Sequence, residues 1–209
     1  MRRVLLSFFL ILLCGISFAQ TQLTDTQSQD VTSQLVQTAS SIQTMQCRFV
    51  QQTTSSMLAE PSVSEGMMTY MAPDKMRWEY TTPYSFALIV NGEKIMKMIE
   101  GQIETIDAKQ GRMYKSIADI IMSCASGKKL LDDSMFDITL FDDGKIWRAE
   151  MKPLRKDMKR MFSLLTFCFD KKTAVIAVVE MTDAEGNLTQ IQFEEKKVNE
   201  EIDAQLFTK

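Results

Sequence analysis

Residues 75–80 alternate strictly, with Lys75, Arg77 and Glu79 on one side and Met76, Trp78 and Tyr80 on the other. A period of two is the signature of a strand with one wet and one dry face. Segments of this kind recur between turn signals along the chain. An apolar run at 86–90, containing Phe86 and Leu88, meets Asn91-Gly92, a strong hairpin signal. The return strand carries Met96 and Met98 among Lys94, Lys97 and Glu100, and Glu100-Gly101 then turns toward Ile103 and Ile106. Residues 136–141 turn at Asp142-Asp143-Gly144 into 146–151, where Pro153 breaks the strand. Segments at 161–169, 175–182 and 188–193 follow, separated by Asp170-Lys171-Lys172 and by Asp183-Ala184-Glu185-Gly186-Asn187. The basic stretch 154–161 reads either as a loop or as one helical turn. The tail 198–207 has a few apolar anchors with which to pack back. About ten strands in hairpin order predict an antiparallel sheet curled around a core.

Two helical patterns accompany the strands. Val31, Leu35, Ala39, Ile42 and Met45 recur at steps of four and three, with Gln, Ser and Thr between them. That spacing predicts an amphipathic helix ending near Met45, capped by Ser28 or Asp30. Residues 20–30 are polar and aperiodic and are expected to form a loose arm. Tyr114, Ile117, Ile120, Ile121 and Cys124 share one face of a second helix, with Gly127 where a C-terminal cap belongs. Bare sheet edges aggregate, so these helices are the expected cover.

The first 19 residues read as a segment apart from the fold. Arg2-Arg3, a short apolar run and Ser17-Phe18-Ala19 make a secretory signal peptide with cleavage before Gln20. Cys14 offers the rival reading of a lipidated anchor, although Leu13 stands where such a signal wants a small residue. Export implies an oxidising compartment. Cys47, Cys124 and Cys168 show no CxxC or metal spacing; they read as small buried apolar residues, or as a Cys124–Cys168 staple beside one free thiol.

Composition narrows the chemistry. The 209 residues contain no histidine, which excludes a Ser-His-Asp triad, a Cys-His dyad and His-ligated metal. Adjacent acidic residues such as Glu194-Glu195 point to opposite faces of a strand and cannot share a substrate. No phosphate-binding glycine loop is present. No enzyme, metal or cofactor is expected. With 24 basic against 27 acidic residues the net charge is −3, which argues against nucleic acid. The one basic cluster, Lys152, Arg155, Lys156, Lys159 and Arg160, reads as a solvated loop, or as a surface for anionic headgroups or an acidic protein face.

Several motifs occur together and in order. Cys47-Arg48-Phe49-Val50-Gln51-Gln52 is followed by Glu65-Gly66, then by Pro73-x-x-Met76-Arg77-Trp78-Glu79-Tyr80-x-x-Pro83-Tyr84, then by Asn91-Gly92. Near the end stand Thr182-Asp183-Ala184-Glu185-Gly186-Asn187, Thr189-x-Ile191-x-Phe193, Asn199-x-x-Ile202 and Phe207. This set resembles the periplasmic outer-membrane lipoprotein carrier family (LolA-like), with Arg-Trp-Glu-Tyr-x-x-Pro its most specific element.

The resemblance implies an α+β fold, an unclosed antiparallel β-barrel (half-barrel) of about ten to eleven strands with a helical lid, occupying 31–209. It implies a monomeric periplasmic carrier without cofactor, which shields the acyl chains of lipoproteins in an apolar cavity. The partners it implies are acylated lipoproteins, an inner-membrane ATP-driven lipoprotein exporter and an outer-membrane acceptor. The alternatives are an outer-membrane receptor anchored through Cys14 and a lipid-sensing envelope regulator. On this reading Met76, Trp78, Tyr80, Phe86, Leu88, Met96 and Met98 line the cavity. Leu35, Ala39 and Ile42 on the first helix, with Ile117, Ile120 and Ile121 on the second, form the lid. Family members carry an Arg before the Pro that opens the Trp-bearing strand, where it holds the lid shut; here that position is Ala72.

Overall fold

The structure is a computed structural model that describes residues 21–106, 118, 122 and 134–208. Twelve strands form one antiparallel sheet in the order β1-β8-β9-β10-β11-β12-β2-β3-β4-β5-β6-β7. Their bounds are β1 Thr21–Gln22, β2 Thr44–Thr54, β3 Ser62–Met71, β4 Lys75–Thr82, β5 Phe86–Asn91 and β6 Lys94–Ile99. The others are β7 Gln102–Thr105, β8 Phe136–Asp142, β9 Ile146–Pro153, β10 Phe162–Asp170, β11 Ile176–Asp183 and β12 Leu188–Val198. The sheet is curled but not closed, with β1 at one edge and β7 at the other. Among the described residues eleven of these strands are four residues or longer, in line with the about ten to eleven expected, and β1 is a two-residue addition at the edge. Apart from the helical residues Ala118 and Met122, the described residues form the helix α1 (Asp25–Ser41), a single turn, α2 (Lys156–Lys159), and near the end a 3-10 turn at Ala204–Phe207.

Alternation along each strand puts the apolar set on one face. Phe49 pairs with Phe193 and Gly66, Trp78 with Met68 and Leu88, and Phe167 with Val179 and Ala149. These side chains belong to one buried cluster, which also holds Val31 and Leu35 of α1, Ala118 and Met122. The concave face is thus the core, and α1 lies against it. Ala118 and Met122 are helical; Ile117, Ile120, Ile121 and Cys124 lie outside the described residues, as do the first 19.

Helix α1 starts six residues before Val31, in the stretch expected to be a loose arm. Its cap is Thr24, not Ser28 or Asp30. The Gln27 N–H donates to Thr24 Oγ1, and the Gln27 side chain accepts from the Thr24 N–H at 3.0 Å. This is a capping box, and Thr24-x-x-Gln27 is its sequence signature. Ahead of it, Thr21 and Gln22 pair with Asp142 and Phe141. The helix ends at Ser41, so Met45 is not its last contact but the first buried residue of β2.

Beyond Ile42 the chain is pinned by Asn199. Its Oδ1 accepts from the Gln43 N–H at 2.7 Å, its Nδ2 donates to the Ser41 carbonyl at 3.1 Å, and its own N–H donates to the Thr44 carbonyl at 2.9 Å. Asn199 holds φ at +60°, a conformation that Asn tolerates better than most residues. Ala72 sits beside this clamp, its N–H donating to the Gln43 carbonyl at 2.7 Å.

The tail packs back on the convex face. Phe207 is fully buried against Ile89 and Met96, with Met71, Ile202 and Leu206 around it. Arg77 donates to the Leu206 carbonyl and Asn91 Nδ2 to the Phe207 carbonyl. Cys47 and Cys168 are buried free thiols, on the concave and convex faces respectively. No helix among the described residues is long and apolar enough to cross a membrane.

Candidate functional site

The site is built on a glycine. Gly66 lies between Phe49 on β2 and Tyr80 on β4. Without a Cβ there, the Phe49 ring drops onto the sheet and stacks on Trp78 at 4.2 Å between centroids. Tyr80 meets the same ring edge-on at 5.3 Å, Phe193 meets Trp78 at 6.1 Å, and Phe86 lies 6.2 Å from Tyr80. Edge-to-face and offset contacts of this kind lock aromatic rings in place. The result is an interlocked aromatic floor on the concave side of β2, β4, β5 and β12.

Above that floor is a cavity of about 250 Å³. Its walls are Met76, Trp78, Tyr80, Phe86 and Leu88 on one side and Met181 and Ile191 on the other, with Gln51, Thr189 and Ala118 completing it. Among the described residues no charged side chain lines it. The Tyr80 hydroxyl donates to Gln51 Oε1 at 2.9 Å, so these two polar groups satisfy each other. Burial pushes the Tyr80 phenol above the usual tyrosine range and keeps it a neutral donor. A wall with its polar groups internally paired presents hydrocarbon to whatever enters.

Register places the cavity toward one end of the concave face. Helix α1 begins where the Leu23 N–H meets the Leu140 carbonyl and ends at the Asn199 clamp, so it crosses the end of the concave face nearest Asn91 and Asp142. Gln51, Tyr80, Phe86, Met181 and Thr189 lie toward the opposite rim.

Of the seven residues expected to line a cavity, Met76, Trp78, Tyr80, Phe86 and Leu88 come together there. Met96 and Met98 do not, which corrects that expectation. The hairpin turn is Gly92-Glu93, with Asn91 paired to Lys94. A two-residue turn pairs residues of opposite parity. The face that carries Leu88 and Val90 therefore continues through Lys97 and Ile95, while Met96 and Met98 pair with Ile89 and Ala87 on the convex side. Met96 is buried there under Phe207, and Met98 lies beside Arg77. Lys97, on the concave side, pairs with Glu104 at 2.8 Å.

Sequence reasoning missed Gln51, Met181, Thr189 and Ile191. Their alternation was legible, but the pairing of β2 with β12, which brings them to Trp78, joins distant parts of the chain. Of the expected lid residues that are described, Leu35, Ala39 and Ile42 are all buried.

Comparison with known proteins agrees with this geometry. A structure from Thermus thermophilus, an uncharacterised conserved protein, shares the fold with a TM-score of 0.53 at 10% identity, over 86% of this chain and 91% of its own. The outer-membrane lipoprotein carrier protein of Pseudomonas aeruginosa PAO1 is 29% identical over 168 residues, 79% of this chain and 76% of the relative. That of Legionella pneumophila strain Corby is 26% identical over 199 residues, 95% and 92% of the two chains. The sequence model of the family described as outer membrane lipoprotein carrier protein LolA matches residues 40–209, nearly the whole of the described sheet. This chain, an open half-barrel with an apolar hollow on its concave face, belongs to the LolA family of lipoprotein carriers.

Proposed function

We propose that this chain is a periplasmic carrier. It takes the acyl chains of lipoproteins into the concave-face cavity, receives them from an ATP-driven exporter in the inner membrane and delivers them to an acceptor in the outer membrane. The observation that carries this reading is the composition of the cavity wall: Met76, Trp78, Leu88, Met181 and Ile191, with the Tyr80 hydroxyl turned onto Gln51. Each methylene exposed to water costs about 0.8 kcal/mol, so an acyl chain of about sixteen carbons costs on the order of 12 kcal/mol. An apolar hollow offsets that cost.

The cavity of about 250 Å³ is smaller than the roughly 300–1,000 Å³ of sites that enclose a drug-sized ligand. Taking up a whole chain therefore requires the cover to move. Met76 and Met181 suit such adjustment, because a flexible, polarisable thioether repacks around chains of different length. The test is binding of purified protein to a lipoprotein in acylated and unacylated forms. Only the acylated form should bind, and Met181→Glu, a charge on a partly exposed wall, should weaken binding by about tenfold or more while the far-UV spectrum stays unchanged. Equal binding of both forms refutes the reading.

A further inference from the structure

The two rims of the half-barrel differ in chemistry. At the rim nearest α1 the turns expose Asp74, Glu93, Lys94, Lys145, Lys172 and Thr173. At the opposite rim the connections are β2–β3, β4–β5, β6–β7, β9–β10 and β11–β12, as the pairings Thr53 with Ser62, Tyr80 with Phe86, Ile99 with Gln102 and Thr182 with Leu188 show. Nearly every strongly exposed large apolar side chain among the described residues lies at this second rim; Met67, in mid-strand, is the exception. Met57 at the β2–β3 tip is 91% exposed, Tyr84 in the β4–β5 turn 65%, and Leu58, Ile99 and Leu154 are each close to half exposed.

The basic cluster is at the same rim. Lys152, Arg155, Lys156, Lys159 and Arg160 are all exposed, held up by the single turn α2, whose Met158 is buried. Arg155 is paired with Asp157. Lys152 and Lys159 line a shallow recess of about 430 Å³ with Leu154, Phe162, Ser163, Pro153 and the carboxylate of Asp137. Several of the described residues that line the cavity, Gln51, Tyr80, Phe86, Met181 and Thr189, lie toward this rim too.

We propose that this rim docks on an anionic phospholipid surface. Single apolar side chains at the tips of separate turns make no continuous face for a rigid partner, but each can enter the headgroup boundary alone. A Tyr at the edge and long Lys and Arg stems beside apolar tips are the residues that sit at such a boundary. A cluster of basic residues adds attraction to anionic lipid that salt screens. Docked this way, the mouth of the cavity faces the acyl layer, and a chain can pass between bilayer and hollow with little exposure to water. The docking surface rests on the rim residues alone and not on what the cavity holds.

The experiment is co-sedimentation of purified protein with vesicles of phosphatidylglycerol and phosphatidylcholine in equal parts, and with pure phosphatidylcholine. Binding is expected to the anionic vesicles at low salt, weakening as salt rises. Lys156→Glu with Lys159→Glu should lower partition by about tenfold or more. Met57→Ser with Leu58→Ser should lower it as well, whereas Lys145→Glu with Lys172→Glu on the other rim should not. Absence of binding to anionic vesicles overturns the proposal, and so does an equal loss from both charge-reversal pairs, or a loss from Met181→Glu in place of the rim variants. Acylated-lipoprotein binding by the same variants separates the two readings. In the parent protein, absence of acylated-lipoprotein binding with vesicle binding intact counts against the carrier reading alone, and the reverse against docking alone; among the variants, Met181→Glu should lose only lipoprotein binding.

Discussion

Replacing Gly66 with alanine tests the construction of the cavity floor. A Cβ on Gly66 would overlap the Glu79 carbonyl oxygen and stand 2.6 Å from Phe49 Cζ. The Phe49 contact could be relieved by moving the ring, at the cost of its stacking on Trp78, about 1 kcal/mol. The Glu79 contact cannot, because it is with backbone in the neighbouring strand, and overpacking of this kind costs about 1–3 kcal/mol. Against this, alanine in a strand gains about 0.5–1 kcal/mol over glycine, since less chain entropy is lost on folding. The φ of Gly66 is not positive, so the demand is for space and not for backbone freedom. The net is a loss of about 2 kcal/mol, which for a chain of this size lowers the melting temperature by about 4–8 °C. Thermal melts followed by far-UV circular dichroism measure this directly. A melting temperature within about 2 °C of the parent would refute the account of the floor.

Two further outcomes follow from particular contacts. Asn199→Ala should destabilise the protein by about 2 kcal/mol and speed amide exchange in the last turn of α1, whereas Asn199→Gly, which keeps the positive φ but not the side-chain clamp, isolates the share of the hydrogen bonds. Burial pushes the Cys47 thiol up to about 12 and the Cys168 thiol up to about 11. Both should therefore resist a disulfide reagent at pH 8 in the folded protein and react at once in denaturant. Because these values are raised above the ordinary 9.0, the stability linked to them is complete below pH 9 and lost as pH rises toward 11–12; a Cys47→Ala Cys168→Ala variant should lose less stability over that range, measured by denaturant unfolding.

Local rules carried the sequence reading where contacts are local. The alternation at Lys75–Thr82 placed Met76, Trp78 and Tyr80 on one face, and the structure keeps them there. The stripe Val31, Leu35, Ala39 was legible because a helix buries every third or fourth residue whatever it packs on. The start of α1 was misread as a cap at Ser28 or Asp30 after a loose arm, although Thr24-x-x-Gln27 is a local signature that satisfies the free N–H groups of a first turn. The misplacement of Met96 and Met98 came from carrying a face across a hairpin without counting parity; the information was in the turn length.

Other features depend on pairings between distant segments. No periodicity in residues 44–54 says that β2 runs between β3 and β12, yet that pairing brings Gln51 to Ile191 and makes one cavity from two ends of the chain. The salt bridges of Arg48 to Glu65 and to Glu194 straddle the same seam. That the exposed apolar tips and the basic β9–β10 connection gather at one rim is likewise a matter of sheet order and strand direction. Sequence alone thus determined which side of each element is apolar, because that follows from the periods of the backbone. Only the folded sheet decided which apolar sides face a common hollow, because register between remote strands is set by the packing of the whole core and is not written in any local stretch.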